Sequence, residues 1–341
     1  METKRITIHD LKSPEAQSAL REAAELIRAG QLVAFPTETV YGLGANALDA
    51  QACAGIFAAK GRPSDNPLIV HVADLAMLYA LAEPTPLALK LIEAFWPGPL
   101  TLVLPKKPIV PDIISAGLPT VALRWPSSKL AAALIEESGR PIAAPSANLS
   151  GRPSPTLASH VYADFQGKVP LILDGGPVEI GLESTVVDAC GKAPLILRPG
   201  RVGALELEQV VGLPVSHAGA QEALRPASPG MKYRHYAPQG ELHLAEDLPK
   251  LLALRQSLLL KYGQEPLLIV CAEMAAQLPA AARVLVIAPQ GDLPAYARNL
   301  FAALREADTA HFPALVAETV PEYGLGVAIM NRLRKAAGIR E

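Results

Sequence analysis

The sequence predicts a two-domain α/β protein, a mixed-sheet domain followed by a smaller doubly wound one. Three observations carry this. The chain has 341 residues, more than a single hydrophobic core usually serves, and half of them are hydrophobic. Short strand-like runs and helical patterns mix without strict alternation up to about residue 200, which suits a mixed sheet. Beyond residue 240 strands are separated by helices, which suits a small Rossmann-like sheet. The expected organisation is 1–212 as the first domain, 213–240 as a linker and 241–341 as the second domain.

The elements follow in order. Ser13 as N-cap, Pro14 in the first turn and Gly30 as stop predict a helix over 13–29. Gln31 to Phe35 is a short apolar strand running into a polar loop, Pro36 to Gly44. An Ala-rich helix over 49–60 delivers Lys60 at its end. Leu68 to Val72 is a strand containing His71. A helix over 85–95 breaks at Trp96-Pro97-Gly98-Pro99. Leu100 to Leu104 and Val121 to Arg124 are strands, 128–138 is a helix, and Ile142 to Ala144 is a strand before a loop at Ser146. Leu171 to Leu173, Ser184 to Val187 and Leu195 to Leu197 are further strands.

Residues 199–240 have little periodicity and repeated Pro and Gly, which reads as a linker. It is an unusual one, since Lys232, Tyr233, Arg234, His235 and Tyr236 crowd together in it. After it come strands at Glu241 to Leu244, Pro266 to Val270, Val284 to Ile287 and Ala314 to Val316, and helices over 293–306 and 326–337. Gly324-Leu325-Gly326 lacks the third glycine of a dinucleotide fingerprint.

Composition narrows the function. The formal net charge of −2 argues against a general nucleic-acid binder and leaves room for a weak, local RNA contact. No apolar run reaches the roughly 18 residues of a membrane span, and the polar start argues against export. Cys53, Cys190 and Cys271 form no Cys-x-x-Cys pair, so neither a disulfide framework nor a protein metal site is expected. The expected compartment is the cytoplasm.

Three polar loops carry the chemistry. In Thr37-Glu38-Thr39-Val40-Tyr41-Gly42-Leu43-Gly44 the hydroxyls suit a small polar ligand and the glycines admit a close backbone approach; a plain capped turn would use the same threonines. In Lys60-Gly61-Arg62-Pro63-Ser64-Asp65-Asn66-Pro67 a compact charge and a planar fork sit on a proline-stiffened segment suited to phosphates. A solvated helix end is the alternative there. In Pro145-Ser146-Ala147-Asn148 a hydroxyl and an amide follow a strand. Arg124 and Arg198 each end an apolar strand and need a charge partner. His71 fits either a core position or a site. Ser154, Ser184 and Thr185 add hydroxyls at strand ends. There is no Walker sequence, no catalytic triad and no carboxylate pair.

Together with Trp96-Pro97-Gly98-Pro99-Leu100-Thr101, Ser184-Thr185 and Leu197-Arg198-Pro199-Gly200, these segments resemble the YrdC-type domain. Ser228-Pro229-Gly230-Met231-Lys232-Tyr233-Arg234-His235-Tyr236-Ala237-Pro238 and the C-terminal unit are similar to the long, two-domain form of that family, the threonylcarbamoyl-AMP synthases. The resemblance implies a YrdC-like twisted sheet followed by a Rossmann-like domain. It implies an enzyme that joins L-threonine, bicarbonate or CO2, and ATP into threonylcarbamoyl-AMP and pyrophosphate, with Mg2+ accompanying the ATP. The product would pass to a tRNA threonylcarbamoyl transferase for tRNA modification.

By resemblance, Thr39, His71, Arg124, Ala144 and Ser184 would contact threonine. Arg62, Asn66, Thr120, Ser146, Ser154, Arg198, His235 and Tyr236 would contact ATP, with Lys60 and Arg62 as the catalytic cations and residues 228–238 as a lid. Two other readings stand beside this one. A carbamoyltransferase of hydrogenase maturation would add Cys clusters that the chain does not have. An RNA-binding or ribosome-assembly factor would want a more basic chain.

Overall fold

A computed structural model describes residues 1–219 and 236–339. It contains two compact units. The first is Met1–Ser150, Ser154–Glu179 and the chain from Glu183 onward to the end of that described stretch. The second is Gly151–Pro153, Ile180–Leu182 and the chain after the undescribed residues.

In chain order the strands of the first unit are β1 (Lys4–Thr7), β2 (Val33–Pro36), β3 (Tyr41–Asn46), β4 (Ile69–His71), β5 (Leu100–Pro105), β6 (Thr120–Arg124), β7 (Ile142–Ala143), β8 (Leu171–Asp174), β9 (Thr185–Asp188), β10 (Leu195–Arg198) and β11 (Ser216–His217). Among the described residues they form one 11-stranded sheet in the order β1-β8-β2-β3-β7-β4-β6-β5-β9-β10-β11. Parallel pairs such as β4 with β6 stand beside antiparallel pairs such as β2 with β3. The sheet is mixed, as the irregular order of strands and helices in the sequence predicts.

Local chemistry explains the helices. Pro14–Arg28 starts where Ser13 Oγ accepts the Ala16 N–H at 3.1 Å. Ala16, Ala19, Leu20, Ala23 and Ile27 repeat at three- and four-residue spacing, so one stripe is buried. That stripe packs with Phe35, Leu134, Ile135 and Leu173 in one apolar cluster. A second cluster gathers Ile56, Leu91, Leu102, Leu123 and Leu207. Each such fully buried side chain contributes about 1.5–3 kcal/mol.

Two expectations are corrected here. Only Thr37 to Val40 of the first polar segment is a loop; Tyr41–Asn46 is β3, antiparallel to β2. Gly42 and Gly44 are strand residues, absent from the glycines at positive φ. A Cβ on Gly44 would lie 2.7 Å from Phe35 Cε1 and 2.8 Å from Ile142 Cγ2. Those glycines make room for neighbouring side chains, and no turn requires them. Similarly, the stretch after residue 199 holds a helix, Ala204–Val211. Glu206 accepts the Gly203 N–H at 2.7 Å, and Gly212 closes the helix in the left-handed region. Its two turns are too short to show a period.

The second unit has four parallel strands, β12 (Glu241–Ala245), β13 (Leu267–Val270), β14 (Arg283–Val286) and β15 (Ala314–Glu318), in the order β12-β15-β13-β14. The helix Leu248–Tyr262 joins the first two strands, and Leu293–Thr309 joins β14 to β15. This is the small doubly wound sheet expected. Within this unit Arg305 donates from Nε and Nη2 to the Pro153 carbonyl at 3.0 and 2.7 Å. Gly181, at φ +84°, has no space for a side chain, since a Cβ would come within 2.4 Å of Arg298 Cα. These packings place two short segments from earlier in the chain, Gly151–Pro153 and Ile180–Leu182, in the second unit. No described helix is long and apolar enough to cross a membrane.

Candidate active site

The loop between β2 and β3 is built by threonine hydroxyls. Thr37 Oγ1 donates to the Val40 carbonyl at 2.7 Å and lies 2.8 Å from Thr39 Oγ1. Arg124 Nη1 donates to Thr39 Oγ1 at 2.9 Å. A guanidinium only donates and a carbonyl only accepts. The chain therefore runs one way, from Arg124 to Thr39 to Thr37 to Val40. Arg124 ends β6, and its long side chain spans from there to this loop. Its Nε donates to the Gly98 carbonyl at 3.2 Å.

Glu38 lies in the same loop. Its Oε1 is 2.6 Å from Arg124 Nη2, and both side chains are 4 % exposed. Burial pushes the Glu38 carboxyl pKa up, but the Arg124 charge and neighbouring N–H groups outweigh it and hold it below the ordinary value. His71 pairs with Arg124 in the β4–β6 register. Burial first, and then the Arg124 charge, lower the His71 pKa to about 3, so the imidazole is neutral. Its Nδ1 is buried with no hydrogen-bond partner. Ala144 donates its N–H to the Ile69 carbonyl at 2.9 Å, beside these residues on the sheet. A Cβ on Gly42 would sit 3.2 Å from the Ala144 methyl. Thr39, His71, Arg124 and Ala144 are thus brought together.

Ser184 sits at the start of β9. Arg198 donates from Nε and Nη2 to the Ser184 carbonyl at 3.1 and 3.0 Å, and from Nη2 to its hydroxyl at 3.1 Å. Thr101 Oγ1 lies 2.7 Å from the same hydroxyl. The preceding Glu183 accepts a short hydrogen bond from Ser154 Oγ. Ser154, Ser184 and Arg198 form one polar cluster.

The second and third polar loops meet at Lys60. The helix Ala50–Lys60 ends at Gly61 in the left-handed region. Lys60 is 3 % exposed, which overturns the solvated helix end as a reading. Its Nζ donates to the Asn148 carbonyl at 2.6 Å and to the Ser146 carbonyl. Ser146 Oγ donates to Asn148 Oδ1. Ser146 also pairs with Gly42 across an isolated bridge. Arg62 Nη2 donates to the Asn66 and Pro67 carbonyls, both at 3.1 Å. Asn66 is 1 % exposed, and its Oδ1 has no partner. Thr120 opens β6, at the opposite end of that strand from Arg124.

Two expected nucleotide contacts remain. His235 lies outside the described residues. Tyr236 is buried in the second unit, where its ring stacks on Phe301 at 5.3 Å and the Arg332 guanidinium lies 5.3 Å from its centroid. Among the described residues no group of three or more His, Cys, Asp or Glu is placed to hold a metal.

Sequence reasoning passed over Glu38 and Glu183. Each is a lone carboxylate among hydroxyls and apolar residues at a strand end. That isolation was the available signal, because such a charge needs a buried partner.

A mixed sheet carries buried polar clusters around Arg124, Lys60 and Arg198, and the chain continues into a parallel α/β unit. The chain belongs to the Sua5/YciO/YrdC family. Residues 25–200 match the family model described as telomere recombination, and 202–338 match the threonylcarbamoyl-AMP synthase C-terminal domain. The threonylcarbamoyl-AMP synthase of Pyrococcus abyssi is 49 % identical over 328 residues, covering 94 % of each chain. The Bacillus subtilis synthase is 46 % identical over 348 residues, covering 100 % of this chain and 99 % of its own. The crystal structure of P. abyssi Sua5 complexed with L-threonine superposes with a TM-score of 0.90 at 45 % identity, covering 100 % of this chain and 98 % of that one.

Proposed function

We propose that this chain is a threonylcarbamoyl-AMP synthase that makes threonylcarbamoyl-AMP and pyrophosphate from L-threonine, bicarbonate or CO2, and ATP. The observation that carries the reading is Arg124: a buried guanidinium beside hydroxyls and a neutral imidazole, suited to an amino-acid carboxylate. The similarity to the P. abyssi and B. subtilis synthases over nearly the full chain supports it.

In this reading the α-carboxylate of threonine lies on Arg124, within reach of Thr39, His71, Ala144 and Ser184. The amine loses a proton and its nitrogen bonds to CO2, giving a carbamate. A carbamate oxygen then bonds to the α-phosphorus, the bond from that phosphorus to the bridging oxygen breaks, and pyrophosphate leaves. The substrate supplies the nucleophile, so the protein's part is positioning and charge stabilisation. Arg62, Asn66, Thr120, Ser146, Ser154 and Arg198 take the nucleotide, with His235 of the 228–238 segment as a further contact. Lys60 shapes the Ser146 turn at the phosphate end. Mg2+ enters as part of the substrate, on the ATP phosphates.

The product is a mixed anhydride and a good acyl donor. We take its consumer to be a tRNA threonylcarbamoyl transferase and the compartment to be the cytoplasm. Pyrophosphate release, assayed with each of the three substrates omitted in turn, tests the proposal. Release that needs all three supports it; release without threonine or without bicarbonate contradicts it.

A further inference from the structure

We infer that Glu38 is a positioning residue for Arg124, a counter-ion that holds the guanidinium in place while leaving its N–H groups for the substrate carboxylate. The inference rests on the reading of Arg124 as the carboxylate site.

Arginine has five N–H groups. In Arg124 one goes from Nε to Gly98 and one from Nη1 to Thr39. Arginine–carboxylate pairs are commonly bidentate, and such a pair with Glu38 would consume two more. It does not do so here. Glu38 reaches it at one point, with Oε1 2.6 Å from Nη2. That contact takes at most one N–H of Nη2. One N–H on Nη1 and one on Nη2 therefore remain on adjacent nitrogens, the fork that a carboxylate takes.

A one-point pairing serves this site. A guanidinium 3 % exposed cannot stand alone, because desolvating an uncompensated charge is expensive. The groups facing it are few. Thr39, Gly98 and His71 come from the β2–β3 loop, the chain before β5 and β4, and His71 is neutral, so Glu38 is the facing anion. With Glu38 neutralised, the guanidinium turns toward other acceptors and spends the N–H groups the substrate needs.

The test uses the full-length protein. Threonine and ATP affinities are measured separately by calorimetry for wild type, Glu38→Gln, Glu38→Asp, Arg124→Met and the Glu38→Gln/Arg124→Met double variant. E38Q should weaken threonine binding roughly tenfold or more, the scale of a lost charge-assisted contact, and change ATP binding less than about twofold. E38D, which keeps the charge, should recover most of the loss. In the R124M background E38Q should add nothing, since its effect passes through Arg124. Three results overturn the inference: threonine binding by E38Q that is unchanged or tighter, equal losses for threonine and ATP, or additive losses in the double variant. If E38Q does not fold, E38D and the pair of R124M variants decide alone. R124M binding threonine like wild type would instead overturn the carboxylate reading itself.

Discussion

Arg198 holds Ser184 at both its carbonyl and its hydroxyl, through hydrogen bonds of 3.0–3.1 Å. A strand-end cation thus fixes the backbone and side chain of a proposed substrate residue together. Arg198→Ala should lower kcat/KM for ATP by roughly 30-fold or more, about 2 kcal/mol, if the guanidinium also meets developing phosphate charge. Arg198→Lys cannot reproduce the planar fork and should recover little. Steady-state kinetics at limiting ATP checks this, and wild-type values in both variants would remove Arg198 from the site.

Lys60 is tied to the turn it supports. Its buried ammonium donates to the carbonyls of Ser146 and Asn148. Lys60→Met should leave the Asn148 carbonyl without this donor and the Ser146 carbonyl with the Asn148 N–H alone, and cost about 1–3 kcal/mol of stability, with a raised KM for ATP. Urea denaturation reads the first effect. A loss below about 0.5 kcal/mol would mean that the turn stands without it.

His71 gives a pH dependence with a definite sign. Its folded pKa is about 3 against 6.5 for the free group. Between those values the unfolded chain takes up a proton that the folded chain refuses. Its contribution is therefore fully present above pH 6.5 and is lost as pH falls, at up to about 1.4 kcal/mol per pH unit. Glu38, held below its ordinary 4.5, adds a further loss once pH falls under that value. From pH 7.5 to 5.5 wild type should lose about 1–1.5 kcal/mol more than His71→Gln. Parallel curves for the two proteins would show that His71 titrates normally.

Gly44 tests the packing of β3. A methyl there meets Phe35 and Ile142 at under 3 Å. Gly44→Ala should cost about 1–3 kcal/mol, and Phe35→Leu in the same chain should restore part of it. Thermal melts of the three variants decide, and an unshifted Gly44→Ala would show that the strand yields easily.

Much of this was legible in the sequence because local chemistry agreed with the fold. Ser13, Asp49, Gly61 and Gly139 cap helices where residue type alone suggests. The polar loops and the strand-end arginines pointed to the site. What stayed hidden depends on contacts between residues far apart in the chain. Gly42 and Gly44 read as turn glycines because the Ala144, Phe35 and Ile142 side chains beside them come from other strands. Lys60 read as a phosphate ligand or a solvated end, since its carbonyl partners lie 86 and 88 residues away. Glu38 was one more polar residue in a loop until Arg124 was found beside it.

The central claim is that the chain condenses threonine, CO2 and ATP into one molecule. The direct measurement is mass spectrometry of the full-length protein's products with carbon-13 bicarbonate, MgATP and either threonine or valine, with pyrophosphate assayed in parallel. The account predicts threonylcarbamoyl-AMP carrying one labelled carbon, matched one to one by pyrophosphate. It predicts far less adduct with valine, whose methyl leaves hydroxyl partners in the pocket unpaired. Unlabelled adduct, pyrophosphate without adduct, or equal yields from valine and threonine would contradict it.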